Sequence, residues 1–156
     1  MTAPQHTITV DDLTGPAIAA LLQEHVDEMR GISPPESKHA LDLDGLRRTG
    51  ITLWTLHDGD HLLGCGALKQ LTPTTAEIKS MRTARTAQRR GVASALLTHL
   101  IAEARHRGYT DLYLETGTDP FFAPARTLYT RFGFVTCPPF ADYRPDPHSI
   151  HLTKNL

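Results

Sequence analysis

The chain has 156 residues, with 16 lysines and arginines against 17 aspartates and glutamates and a formal net charge of −1. That length suits one domain, expected to span 1–156, and the near-neutral balance offers no positive field for a nucleic acid backbone or an anionic membrane. Apolar residues make up 40% and charged residues 21%, as in a water-soluble globule, and no apolar run nears the roughly 18 residues that would cross a bilayer. The first twelve residues lack a basic segment followed by an apolar core, and two cysteines, Cys65 and Cys137, form no disulfide framework; a cytoplasmic location is expected. None of the nine histidines has metal-ligand spacing, so no metal is expected.

His6 to Val10 alternates as a short strand. Thr14 and Pro16 supply a cap and an early helical proline, and Ile18, Leu21, Leu22, Val26 and Met29 recur at three- and four-residue spacing, predicting a helix that Gly31 ends. Pro34 and Pro35 separate it from a shorter helix that turns Leu41, Leu43 and Leu46 inward. Residues 51–57 and 61–68 form a hairpin around Asp58-Gly59, and residues 75–83 form a third strand that runs into the basic loop 85–90. The clearest helical period follows in Ala93, Leu96, Leu97, Leu100, Ile101 and Ala104, with Gly108 placed for a left-handed cap. Residues 111–116 read as a strand, 124–132 as a helix stopped by Gly133, and 134–137 as a strand again, an order that predicts a parallel pair. The proline-rich loop 138–147 precedes a last strand near 149–153. An α/β mixed sheet with helices on its faces results.

The segment Gln88-Arg89-Arg90-Gly91-Val92-Ala93 lies where a strand gives way to a helix start, so several backbone N–H groups lack intrahelical partners and the helix dipole is positive. Gly91 and Ala93 let an anion approach the backbone, and Arg89 and Arg90 add charged donors. No nucleotide P-loop or dinucleotide glycine pattern accompanies it.

Taken with a downstream helix carrying Ala125, Leu128 and Tyr129 and ending in Gly133-Phe134, this order resembles the GNAT superfamily of N-acetyltransferases over residues 53–134. The family's pyrophosphate motif, [Q/R]-x-x-G-x-[G/A], is matched by Gln88, Gly91 and Ala93. The resemblance implies a central, mostly antiparallel mixed sheet with a splayed parallel pair and helices on both faces. It implies acetyl-CoA as co-substrate, with backbone groups of Met81, Arg82 and Thr83 along the pantetheine arm and Gly91, Val92, Ala93 and Ser94 at the pyrophosphate.

Acetyl transfer to an amine with pKa near 10.4 needs a base, because only about one molecule in 10³ to 10⁴ is unprotonated at neutral pH. Glu77, on the strand before the phosphate loop, matches the family's placement of a catalytic glutamate, with Lys79 and Met81 as its alternation partners. Its bland alternative is pairing with Lys79 or an arginine on a solvated strand face. Glu115 is the rival base, with His25 and His39 behind it. Tyr129 matches the family's tyrosine acid for the departing thiolate, the alternative being a core tyrosine. A strand N–H near Met81 or Arg82 would stabilise the oxyanion. Cys65 reads as a small buried residue, and the pairs His57/His61 and His148/His151 are expected to face solvent. The acceptor is expected beside residues 25–41 and the loop 138–149, with Glu28, Glu36 and Asp42 attracting its ammonium group. The expected function is direct, acetyl-CoA-dependent transfer to a primary amine of a small molecule or protein; the alternative is an acyl-CoA-binding sensor with the same fold. The acceptor is not named by the sequence, and a homodimer is left open.

Overall fold

The computed structural model describes residues 6–32 and 43–156. The predicted Pro34-Pro35 break, Leu41, Glu36, His39 and Asp42 lie outside the described residues. Seven strands form one sheet: β1 (His6–Val10), β2 (Ile51–Asp58), β3 (His61–Thr72), β4 (Thr75–Thr83), β5 (Asp111–Gly117), β6 (Val135–Cys137) and β7 (Ser149–Asn155). Their spatial order is β1-β2-β3-β4-β5-β7-β6, and every pairing is antiparallel except β4 with β5. The parallel pair is thus the one that spans the long helix. The expected pairing of residues 111–116 with 134–137 does not form, because β7 inserts between β5 and β6 and bonds both.

Helices α1 (Pro16–Ile32) and α2 (Leu43–Leu46) cover one face of the sheet, and α3 (Val92–His106) and α4 (Ala123–Arg131) the other. α1 starts at Pro16 as predicted but continues through Gly31, whose missing side chain does not by itself end a helix. Strand alternation divides the core. Trp54, Leu68, Ala76, Ile78, Leu112 and Leu114 meet Leu97, Leu100 and Ile101 of α3, whereas Leu53, Cys65 and Ala67 meet Ile18, Leu21 and Leu22 of α1. Gly64 and Gly66 let α3 lie close: a Cβ at Gly64 would stand 2.7 Å from a Val92 methyl, and one at Gly66 2.7 Å from the Met81 sulfur. No helix among the described residues is long and apolar enough to cross a membrane.

Candidate active site

β4 and β5 pair only through Thr75–Asp111, Ala76–Leu112 and Glu77–Tyr113, and beyond them the two strands part. The outer edge of β4 from Ile78 to Thr83 therefore lacks its parallel neighbour, leaving backbone donors and acceptors for an extended ligand. The chain then passes from β4 through a 3-10 turn, Arg85–Ala87, to the N-terminus of α3, so the parting strands and the helix start share one end of the sheet.

That helix start is built by backbone. Gly91 is the N-cap at φ 77°, and no side chain caps the helix, so the N–H groups of its first turn point outward without a side-chain acceptor. Arg89 also takes a positive φ of 64°, which turns the chain sharply just before the helix. A Cβ at Gly91 would meet nothing within 4 Å and would project into open space. Gln88, Arg89 and Arg90 are exposed, and Arg90 reaches Asp58 at 3.6 Å.

β4 carries an irregularity that the alternation pattern does not predict. Its register against β3 runs Ala67–Lys79 and then Cys65–Arg82, which places one extra residue in β4, and Ser80 within it has φ 54°. The bulge reverses the faces. Lys79 stays on the side of Glu77 as expected, but Met81 turns to the α3 face, against Gly66 and Leu100, while Arg82 moves to the Lys79 face.

On that face, the Glu77 side chain is 3% exposed, and its Oε2 accepts from the Tyr143 hydroxyl at 2.6 Å and from Lys79 Nζ at 3.3 Å. Lys79 also donates to the Tyr143 oxygen at 3.0 Å. Glu77 does pair with Lys79, but in a buried cluster and not on a solvated face. Tyr143 arrives from the loop between β6 and β7, which Phe140 anchors by ring contacts with Tyr113 at 4.9 Å and His151 at 5.6 Å. His151 is buried here and does not face solvent, whereas His148 is exposed. A cavity of about 600 Å³ opens between this loop, at residues 141–148, and the cross-strand pair Lys69–Glu77, a size common for small-ligand sites.

Glu115 lies two residues past Tyr113 on β5, on the same face and already beyond the last pairing with β4. Burial raises its carboxyl to about pH 7, with the negative charges of Glu77 and Asp146 adding and Lys79 opposing. Tyr129, buried on α4 with its ring 5.7 Å from that of Phe134, is held well above the ordinary phenol range by burial and then by the charge of Glu115. Cys65 is fully buried, and burial pushes its thiol to about 12, as befits a packing residue. Among the described residues no group of three or more His, Cys, Asp or Glu is arranged to hold a metal ion.

The acidic turn of α1 is otherwise engaged than the acceptor expectation supposed. Glu24 and Glu28 both bind the Arg82 guanidinium, and Glu28 also accepts from Arg85 Nε at 2.8 Å. The Arg82 bond holds Glu28 down at about 2, so this carboxylate clamps α1 to β4 and is not free for an ammonium group. His25, half-buried beside it, is lowered to about 4 by desolvation and then by Arg82, and stays neutral at pH 7. Because the folded-state pKa of Glu28 is depressed from 4.5, its stabilisation is complete above the unfolded value and is lost as pH falls from about 4.5 to about 2. Glu28→Ala should destabilise the protein by about 3 kcal/mol at neutral pH, at the low end for a buried pair because Glu24 still faces Arg82. The deficit should shrink across that acid window in denaturant melts followed by circular dichroism; an undiminished deficit near pH 2.5 would assign it to packing.

An uncapped helix start, a neighbouring pair of parted parallel strands and buried titratable groups on both faces beside them share one end of the sheet. Residues 18–134 match the Acetyltransferase (GNAT) family, and the chain belongs to that family. It is 53% identical over 149 residues to an uncharacterized N-acetyltransferase, YsnE, of Bacillus subtilis, covering 96% of this chain and 99% of the relative. It is 49% identical over 150 residues to an uncharacterized N-acetyltransferase, YedL, of Escherichia coli, covering 96% and 94%. The fold is also that of a GNAT family acetyltransferase from Elizabethkingia anophelis solved with acetyl-CoA bound, with a TM-score of 0.73, 22% identity and 97% and 98% coverage.

Proposed function

We propose that this acetyltransferase carries an acetyl group from acetyl-CoA directly to a primary amine. The observation that carries the reading is the convergence of the open β4 edge with the uncapped N-terminus of α3 at one end of the sheet. Backbone groups of Met81, Arg82 and Thr83 bind the pantetheine arm, and one N–H among them faces the carbonyl oxygen as it gains charge. Gln88, Arg89, Arg90 and the N–H groups of Gly91, Val92, Ala93 and Ser94 hold the pyrophosphate. The Arg82 side chain is bound to α1, so its part in the site is through its backbone.

Glu77, fixed by Tyr143 and Lys79, orients the acceptor nitrogen through its remaining oxygen. Glu115 takes the ammonium proton, because a carboxyl near 7 is matched to proton transfer at neutral pH. Tyr129 donates to the departing thiolate. The charge of Glu115 is one cause of the raised tyrosine, so protonating Glu115 during attack lowers the phenol when its proton is needed. The sensor alternative would not need this linkage of two proton carriers.

Gly91→Asp tests the donor assignment. The new side chain enters open space, costs about 1–2 kcal/mol of left-handed backbone strain and sets a negative charge against the anion. Coenzyme A affinity measured by calorimetric titration should fall about 10²-fold or more, whereas Gly91→Ala, which adds the strain alone, should lose much less. Equal affinity in folded Gly91→Asp would remove the phosphate assignment, and wild type that binds acetyl-CoA yet releases no thiol with any amine would favour the sensor.

A further inference from the structure

We propose that Tyr143 is a positioning residue of the acceptor site, its hydroxyl aiming Glu77 from the loop between β6 and β7; this rests on the amine-transfer reading above. The loop is held in place without that hydroxyl. At one end Phe140 packs its ring against those of Tyr113 and His151, and the Tyr143 N–H closes a turn on the Phe140 carbonyl at 3.0 Å. At the other end the His148 carbonyl accepts from the Thr118 N–H at 3.2 Å, and the Pro147 carbonyl accepts from the Thr118 hydroxyl at 3.1 Å. The Tyr143 ring adds edge contacts with Phe140 at 5.0 Å and His151 at 5.2 Å. A phenylalanine at 143 would keep every one of these contacts.

What the hydroxyl adds is direction. Glu77 Oε2 accepts from it at 2.6 Å, against 3.3 Å from Lys79. Lys79 supplies charge from the same strand face, but an ammonium group on a four-carbon stem fixes no orientation. A phenol on a packed ring lacks that freedom, and burial, then the Glu77 charge, hold it above the ordinary phenol range, so at pH 7 it remains a donor. Glu77 and Tyr143 both line the cavity of about 600 Å³. With Oε2 tied to the loop, the carboxylate cannot turn, and Oε1 keeps one direction for the acceptor nitrogen. A misplacement of about 1 Å at a reacting group costs about 10²-fold in rate, which sets the scale of the expected effect.

The experiment is thiol release from acetyl-CoA by wild type, Tyr143→Phe, Glu77→Gln and the double variant, with the amine that wild type acetylates fastest among free L-amino acids, alkylamines and short peptides with a free amino terminus. Tyr143→Phe should lower kcat/KM for that amine by about 10- to 100-fold, with coenzyme A affinity within about twofold of wild type. Added to Glu77→Gln, the same substitution should cost less than about twofold more, because glutamine cannot present two carboxylate oxygens, one to the loop and one to the amine. A residue that only packed the loop would lower the melting temperature and multiply its loss in full with that of Glu77→Gln. That additive result, or an unchanged kcat/KM in either single variant, would overturn the proposal and leave the transfer reading standing. Acetyl-CoA binding without thiol release from any amine would overturn both.

Discussion

Tyr129→Phe is expected to lower kcat by about 10² to 10⁴, the span for a lost general acid, with coenzyme A affinity nearly unchanged. The substitution removes one hydroxyl and keeps the ring that packs against Phe134 on α4. If Tyr129 serves only the core, the melting temperature moves and kcat does not; if it protonates the thiolate, the reverse holds. Pre-steady-state measurement of thiol release separates the chemical step from product release. An unchanged chemical step in the phenylalanine variant would remove Tyr129 from the reaction. Burial and then the Glu115 charge hold the phenol above the ordinary phenol range, so no limb of the wild-type pH profile near neutrality should belong to it.

What was legible in the sequence was what is local. The helix start at Gly91 is made by consecutive residues whose chemistry is backbone geometry, so Gln88 to Ser94 could be read without knowing what packs around them, and the strand and helix before and after fell within a few residues of their places. The amphipathic period of α3 was equally plain because its buried side, Leu96, Leu97, Leu100 and Ile101, meets one continuous sheet face. The bulge at Ser80 was not legible. No glycine or proline marks it, and a single extra residue reverses every later side chain, sending Met81 to one face and Arg82 to the other.

Tyr143 is a second omission of the same kind. Its partner Glu77 is 66 positions away, and only the fold of the loop between β6 and β7 brings them together. The nearest sequence signal was the aromatic content of Phe140-Ala-Asp-Tyr143 in a proline-rich loop, which says that the segment packs but not on what. β7 likewise separates β5 from β6, because the last strand bonds β5 on one side and the short edge strand β6 on the other, a choice made by the whole sheet and not by the strand–helix–strand order. Glu28 was identified as an acidic group on the acceptor side, yet its partners Arg82 and Arg85 are more than 50 positions away and take its charge.

Glu115→Gln is expected to lower kcat by about 10² to 10⁴ at pH 7 and to change the form of the pH profile. With Glu115 as base, wild-type activity rises through about pH 7 as the carboxyl ionises and then levels. Glutamine cannot accept the proton, so that limb should vanish, and the residual rate should climb about tenfold per pH unit toward the acceptor's own pKa near 10, following the free amine. Stability supplies the control. A carboxyl whose folded-state pKa is raised from 4.5 to about 7 binds more protons folded than unfolded, so it costs stability progressively between those values and fully above 7. The glutamine variant should thus be more stable than wild type at pH 8, by on the order of 2–3 kcal/mol, and equal to it near pH 4. A variant that gains stability while losing turnover cannot owe the loss to unfolding. If turnover and the rise through pH 7 both survive in Glu115→Gln, the base is Glu77, and Glu77→Gln should then carry the profile change that Glu115→Gln lacks.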